Sequence, residues 1–144
     1  MPFFCDMLGI ILLILALWWI RKFGAVTVTG IIATVITLML NPYATHFFGF
    51  TTASVVFDIV ARLIGYQNCL EKPILSVISL LLTSITSTAI AGIVIGNLFM
   101  NPAPFGGVAF FSVLHAAGGA IGGTIGIVLI KALSTRISLQ RFEK

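Results

Sequence analysis

The chain has 144 residues, of which 59% are hydrophobic and only 8% are charged, and its mean hydropathy is +1.17. A soluble domain has about 25% charged residues, so the composition predicts a polytopic membrane protein, with one small helical domain over residues 1–144. The net charge of +4 does not indicate a nucleic-acid partner, because that requires basic residues clustered on one face. Here the basic residues lie at the ends of apolar runs.

Five apolar segments approach or exceed the length of about 20 residues that a helix needs to cross a bilayer. They run approximately from Phe3 to Ile20, Gly24 to Leu40, Phe47 to Tyr66, Ile74 to Met100 and Gly106 to Leu133. We therefore expect an all-α bundle of five transmembrane helices with short connectors. The first segment has no basic residue before it and no small-residue cleavage site, which is typical of a retained helix and not of a signal peptide.

The distribution of Lys and Arg predicts the orientation of these helices. Basic residues lie in the first and third connectors and at the C-terminal end, whereas the N-terminus and the second and fourth connectors have none. Cytoplasmic loops carry the excess of positive charge, so five crossings place the N-terminus outside and the C-terminus in the cytoplasm. We expect a multi-pass protein of the cell membrane, of the prokaryotic plasma-membrane type.

Three ionisable residues, Asp58, Arg62 and His115, are the candidates for positions deep in the membrane. A charge near the bilayer centre costs about 2.5–3.5 kcal/mol even on lenient scales, so such residues normally face protein or a water-filled cavity. In one interpretation Asp58 and His115 form a site, reached from outside, that binds a polar or cationic solute or relays a proton, and Arg62 holds Asp58 ionised. In the other, Asp58 and Arg62 neutralise each other and pin two helices, and His115 bonds to a carbonyl.

Further candidates lie toward the predicted outer side. The fourth segment carries a stripe of hydroxyl residues that ends at Asn97. We interpret most of these hydroxyl residues as packing contacts between helices. Aromatic residues, including Tyr43 and Phe48, surround two Asn-Pro turns. The full set is Tyr43, His46, Phe47, Phe48, Phe50 and Phe105. These rings fit an aromatic belt at the membrane interface or a clamp on a ring-shaped solute.

The last segment contains HAAGGAIGGTIG, in which Gly118, Gly122 and Gly126 recur at the four-residue spacing that allows close contact between helices. That contact is either within the bundle or with another subunit. Cys5 and Cys69 fall near opposite faces of the predicted bundle, so a disulfide between them is excluded by distance.

Motifs of catalysis are missing from the sequence. It has no phosphate loop, no G-x-S-x-G turn, no H-E-x-x-H and no Cys-x-x-Cys. One membrane histidine and one deep carboxylate are too few ligands for a metal. We therefore expect neither an enzyme nor a cofactor, and the chain alone is no ATPase.

Three stretches resemble the substrate-binding S components of energy-coupling factor (ECF) transporters. They are RKFGAVTVTGIIATVITLMLNP, FGFTTASVVFDIVARLIGY and LHAAGGAIGGTIGIVLIKAL, and the resemblance covers approximately Gly24 to Leu133. It implies a subunit that captures a vitamin, vitamin precursor or metal cation from outside, together with a membrane coupling subunit and two ATPases. The family typically has six helices with both termini in the cytoplasm, and no position here matches the small residues of its first helix.

From the sequence we expect a membrane subunit that binds a small solute from the outer side. Its predicted site consists of Asp58, His115, Asn97, Arg62, Tyr43 and Phe48. Its predicted partners are the lipid bilayer, the solute and, through Gly118, Gly122 and Gly126, a coupling subunit with its ATPases. The alternative is a small structural or assembly subunit of a larger membrane complex, in which the charged pair only holds two helices together.

Overall fold

The structure is a computed structural model that describes residues 2–44, 46–98 and 107–142. Within these ranges the chain is helical, with no strand, so the predicted all-α class is confirmed. The helices are α1 (Pro2–Ile20), α2 (Ala25–Leu40), α3 (Phe47–Ile64), α4 (Tyr66–Leu70), α5 (Pro73–Leu98) and α6 (Gly107–Phe142). Met100, Phe105 and Gly106, which were part of the sequence predictions, lie outside the described residues.

Three of these helices are long and apolar enough to cross a membrane: Phe47–Ile64, Ile74–Leu98 and Gly107–Ile137. α1 and α2 contribute shorter apolar stretches, Phe4–Ile20 and Ala25–Leu40. Large apolar side chains cover the outside of the helices, as Trp19, Leu63 and Val113 illustrate. An apolar exterior of this extent is unusual for a soluble monomer and suits contact with lipid.

The five long helices form a closed ring. α1 packs against α2 and α6, α3 packs against α2 and α5, and α5 packs against α6, so the order around the ring is α1, α2, α3, α5, α6. Chain neighbours run in opposite directions, whereas α6 and α1 run in parallel: Met7 lies beside Gly122, and Ile14 lies beside Gly126. The ring encloses a core of buried apolar side chains that includes Leu13.

The helix boundaries differ from the predicted ones at two places. The third segment was expected to continue to Tyr66, but α3 ends at Ile64 because Gly65 has φ 91°, a left-handed conformation that interrupts the helix. The last segment was expected to end at Leu133, but α6 continues to Phe142. Its 36 residues make a helix of about 54 Å, so α6 projects beyond a hydrocarbon layer of about 30 Å.

Glycines bring α6 close to both of its neighbours. A Cβ on Gly122 would lie 2.7 Å from the carbonyl oxygen of Met7 in α1, and a Cβ on Gly126 would lie 2.8 Å from Ile14 Cδ1. On the other face, a Cβ on Gly119 would lie 2.8 Å from the carbonyl oxygen of Ser84 in α5. These glycines therefore serve packing within the ring, and α1 occupies the surface of Gly122 and Gly126 that was predicted to contact a coupling subunit.

Candidate functional site

Asp58 lies in the middle of a hydrogen-bond cluster at the amino end of α2. Its Oδ2 accepts hydrogen bonds from Gly24 N at 2.8 Å, from Thr27 Oγ1 at 3.0 Å and from Thr27 N at 3.3 Å. Its Oδ1 accepts a hydrogen bond from the Tyr66 hydroxyl at 3.4 Å. The side chain is fully buried, so its charge is balanced by these donors and not by water.

The first turn of α2 explains why this carboxylate is needed. Gly24 is the N-cap and offers no side-chain acceptor, so the first N–H groups of α2 lack a partner from their own segment. Asp58 supplies that partner from α3, and its negative charge also suits the positive end of the helix dipole.

The expected grouping of Asp58 with His115 is therefore not found, because each side chain has other partners. Asp58 lies six residues before the end of α3, about 9 Å along the helix axis, and it bonds to α2 and α4. As a solute-binding residue Asp58 stays a prediction, without a place on the cavity wall described below.

Arg62 also has a different partner from the one expected. Its guanidinium carbon lies 4.4 Å from the centroid of the Phe23 ring, a cation–π contact. Among the described residues no ion pair joins Arg62 to Asp58. The side chain is exposed, at the end of the bundle where the other basic connector residues lie.

A cavity of about 420 Å³ opens at the opposite end of the ring. All five long helices contribute to its wall, since the amino ends of α1, α3 and α6 meet the carboxyl ends of α2 and α5 there. The wall is mainly apolar. Its residues are Cys5, Asp6, Leu8, Gly9, Leu12, Ala33, Thr37, His46, Phe47, Phe50, Ile95, Phe111 and His115.

Asp6 and His115 form the polar feature of this cavity. Asp6 Oδ2 and His115 Nδ1 are in direct contact as an ion pair that joins α1 to α6. The His115 side chain is only 2% exposed, whereas that of Asp6 is 18% exposed. The cavity wall includes no Lys or Arg, and the basic side chain in contact with Asp6 is that of His115.

The position of the imidazole depends on two close neighbours. The ring of Phe111 meets it edge-on, with centroids 4.6 Å apart. Across the helix interface, a Cβ on Gly92 would lie 3.0 Å from His115 Cβ and 3.2 Å from Cδ2. Because Gly92 has no side chain, the imidazole of His115 has space to pack against α5 at this point.

The other predicted site residues lie away from the cavity wall. Tyr43 is 92% exposed and Phe48 is 44% exposed. Asn97 is exposed, and its Nδ2 donates a hydrogen bond to Ile93 O of its own helix at 2.9 Å. Of the predicted aromatic set, His46, Phe47 and Phe50 line the cavity, so the cluster is divided between the wall and the surface.

The sequence reasoning missed Asp6. An acidic residue inside an otherwise apolar first segment was a signal of the same kind as Asp58, since ionisable residues in such segments normally face a partner or a cavity. Asp6 lies close to the start of the segment, and only Asp58, Arg62 and His115 were counted as ionisable residues of the membrane interior. Only the packing of α1 beside α6 places it against His115.

Two titratable groups in α4 are shifted by burial. The pKa of Tyr66 is raised above its usual value of 10.0, first by burial and then by the charge of Asp58, whose carboxylate it contacts. Burial also raises the pKa of the Cys69 thiol. Cys5 is exposed and Cys69 is buried, and both are free.

In the part of the chain that the structure describes, no three His, Cys, Asp or Glu residues are grouped closely enough to hold a metal ion. Comparison with family models, with curated proteins and with solved structures found no match to this chain. The resemblance to ECF S components stays a prediction from the sequence pattern.

Proposed function

We propose that this chain is a membrane subunit that captures a small solute in the cavity between its five long helices. The observation that carries the proposal is a cavity of about 420 Å³ with a paired carboxylate and imidazole in an apolar wall. Binding sites for small molecules have volumes of about 300–1,000 Å³ and combine apolar walls with a few polar groups that orient the ligand.

The proposal includes five membrane crossings with the cavity facing outward. α2 has only 16 residues, fewer than the 20 or so of a typical span. A short span requires that its backbone groups be satisfied inside the bundle, and Asp58 does this for Gly24 and Thr27. The ring in which α2 packs against α1 and α3 supports counting it as a crossing.

The charges support the outward orientation of the cavity. Arg21, Lys22 and Lys72 lie in connectors at the end of the ring opposite the cavity, and Lys131 lies on α6 toward that same end. The cavity end includes no basic residue in the described connectors. By the positive-inside rule the cavity opens to the outside, where a nutrient such as a vitamin or vitamin precursor would be captured.

The second candidate is a structural or assembly subunit. It predicts that Asp58 and Arg62 form an ion pair in an interface without water. Asp58 instead bonds to α2 and Arg62 stacks on Phe23, so the described residues do not form the pair that this candidate predicts. Coupling to an ATPase is not part of the proposal, because Gly122 and Gly126 already contact α1.

The test is to purify the protein in lipid nanodiscs and to identify bound small molecules by mass spectrometry. Ala33 lines the cavity, so Ala33→Trp should fill it and remove the bound molecule. Val35 lies on the outside of the same helix and is 50% exposed, so Val35→Trp should leave the bound molecule in place.

Retention of the molecule by both variants, or its loss from both, would contradict binding in the cavity. Stoichiometric association of the wild type with an unrelated membrane complex, without any bound small molecule, would favour the assembly subunit.

A further inference from the structure

The imidazole of His115 has one nitrogen paired and one without a partner. Nδ1 contacts the Asp6 carboxylate, whereas Nε2 is buried and has no hydrogen-bond partner among the described residues. A buried polar atom left without a partner costs about 1–3 kcal/mol, and such atoms are exceptional in folded proteins. An unpaired nitrogen on a residue that lines a cavity therefore indicates a ligand atom that completes it.

The pairing with Asp6 determines what Nε2 offers to a ligand. A carboxylate against Nδ1 keeps a proton on that nitrogen. Asp6 has no other cation beside it on the cavity wall, and a carboxylate in apolar surroundings requires an opposite charge. His115 is the basic group in contact with this carboxylate, and the protonated form of its imidazole has Nε2–H as a hydrogen-bond donor. The pair then has no net charge, so it attracts neither cations nor anions strongly.

The rest of the wall indicates the shape of the ligand. Three aromatic rings, those of Phe47, Phe50 and Phe111, and the imidazole of His46 line the cavity. Flat ring systems pack well against such side chains, in stacked or edge-on arrangements. The other titratable groups on the wall are Cys5 and His46, and neither is a permanent charge.

We infer that the cavity takes a small, uncharged, planar ring compound whose carbonyl oxygen or ring nitrogen accepts a hydrogen bond from His115 Nε2. This inference rests on the proposed function and names the chemical class of its solute. Asp6 is a positioning residue: its contact with Nδ1 fixes the orientation of the imidazole.

The inference is tested with two probes of the same shape. Quinoxaline and naphthalene are both flat fused bicycles, but only quinoxaline has ring nitrogens that accept hydrogen bonds. Binding is measured by equilibrium dialysis against protein in nanodiscs, with empty nanodiscs subtracted. A hydrogen bond from a charged donor contributes about 1.5–3 kcal/mol, so quinoxaline should bind at least about tenfold more tightly than naphthalene.

Three variants test whether the difference in affinity between quinoxaline and naphthalene comes from the pair of Asp6 and His115. His115→Phe should abolish the preference for quinoxaline while leaving naphthalene binding in place, and Asp6→Asn should reduce the preference for quinoxaline. Val113→Ala, a control on the outside of α6, where Val113 is 66% exposed, should keep the preference. In the wild type, nitrogen NMR of labelled histidine should show the Nε2 resonance of His115 moving with quinoxaline and not with naphthalene, a readout that needs no variant to fold.

The outcomes separate the two proposals. Equal binding of the two probes, or a preference that survives His115→Phe with an unmoved Nε2 resonance, overturns the inference and leaves solute capture standing. Absence of saturable binding by either probe, with a bound molecule still found in the purified protein, also overturns the inference alone. If neither probe binds saturably and the purified protein also contains no bound molecule, the proposed function is overturned.

Discussion

Asp58 on α3 accepts a hydrogen bond from the N–H of Gly24 at 2.8 Å and so caps the amino end of α2. Asp58→Ala would leave this half-buried donor and that of Thr27 without a partner. Each unsatisfied donor costs about 1–3 kcal/mol, so we expect the free energy of unfolding to fall by about 2–4 kcal/mol. Asp58→Asn keeps one oxygen acceptor and should cost less.

The measurement is equilibrium unfolding in mixed detergent micelles, followed by the helical circular dichroism signal. Asn97→Ala is the control, because Asn97 is exposed and, among the described residues, its side chain donates to Ile93 O of its own helix; its effect should stay within about 0.5 kcal/mol. Equal stability of Asp58→Ala and Asn97→Ala would show that the cap contributes nothing.

The contact between α1 and α6 predicts a strong effect at Gly122. A methyl group there would lie 2.7 Å from the carbonyl oxygen of Met7 and 2.9 Å from its Cα, and backbone atoms cannot move aside as a flexible side chain does. We expect Gly122→Ala to destabilise the protein by about 1–3 kcal/mol, the usual cost of overpacking, in the same unfolding assay.

Gly96 provides the matched comparison, since the nearest atoms to a Cβ there lie 3.6 Å away. Alanine is a better helix former than glycine by about 1 kcal/mol, so Gly96→Ala should be neutral or stabilising. A Gly122→Ala variant as stable as Gly96→Ala would refute the close approach of α1 and α6.

The two cysteines should differ in reactivity. Cys5 is exposed at the cavity end, whereas Cys69 is buried in α4 at the other end, and its thiol has a raised pKa. Because the thiolate is the reactive form, we expect a membrane-impermeant maleimide added to intact cells to label Cys5 and not Cys69. Mass spectrometry of the variants Cys5→Ser and Cys69→Ser locates the label.

Denaturant should make Cys69 reactive in the Cys5→Ser variant. Labelling of Cys5 only in inverted membranes would reverse the proposed orientation.

Tyr66 predicts a pH dependence of stability. Its pKa is raised in the folded protein by burial and by Asp58, so the folded state binds the phenolic proton more tightly than the unfolded state does. This stabilisation is fully present below pH 10 and is lost as the pH rises through the raised value. Tyr66→Phe should therefore lessen the loss of stability above pH 10, measured by thermal unfolding at several alkaline pH values.

Tyr43 is 92% exposed, so Tyr43→Phe should leave the alkaline loss of stability as it is in the wild type. Identical profiles for Tyr66→Phe and the wild type would argue against the contact of Tyr66 with Asp58.

Local patterns in the sequence predicted the helices well. Apolar runs and Asn-Pro turns marked the long segments, and the glycine spacing marked a tightly packed face. The partners of particular side chains depend on which helices are neighbours, and a sequence without an alignment carries little information on that. Asp58 was assigned to His115 because both are ionisable residues within apolar segments, but the ring order places α2 beside α3 and α1 beside α6.

The break at Gly65 was missed because glycine is common inside apolar helices, and its left-handed φ of 91° is visible only in the structure. Asp6 was missed for a different reason: the sequence shows the carboxylate but not the helix it faces. His115, by contrast, was predicted as a site residue and lies on the cavity wall. Its ligand-binding role stays a prediction.

The closure of the ring by α1 against α6 has a consequence for biogenesis. α1 precedes α6 in the chain, yet Met7 packs on Gly122 and Asp6 pairs with His115. Until α6 inserts, the Asp6 carboxylate lacks its partner and the cavity lacks one wall. The cavity wall is therefore complete only after α6 has been synthesised, and a chain arrested before that point would leave Asp6 on α1 unpaired.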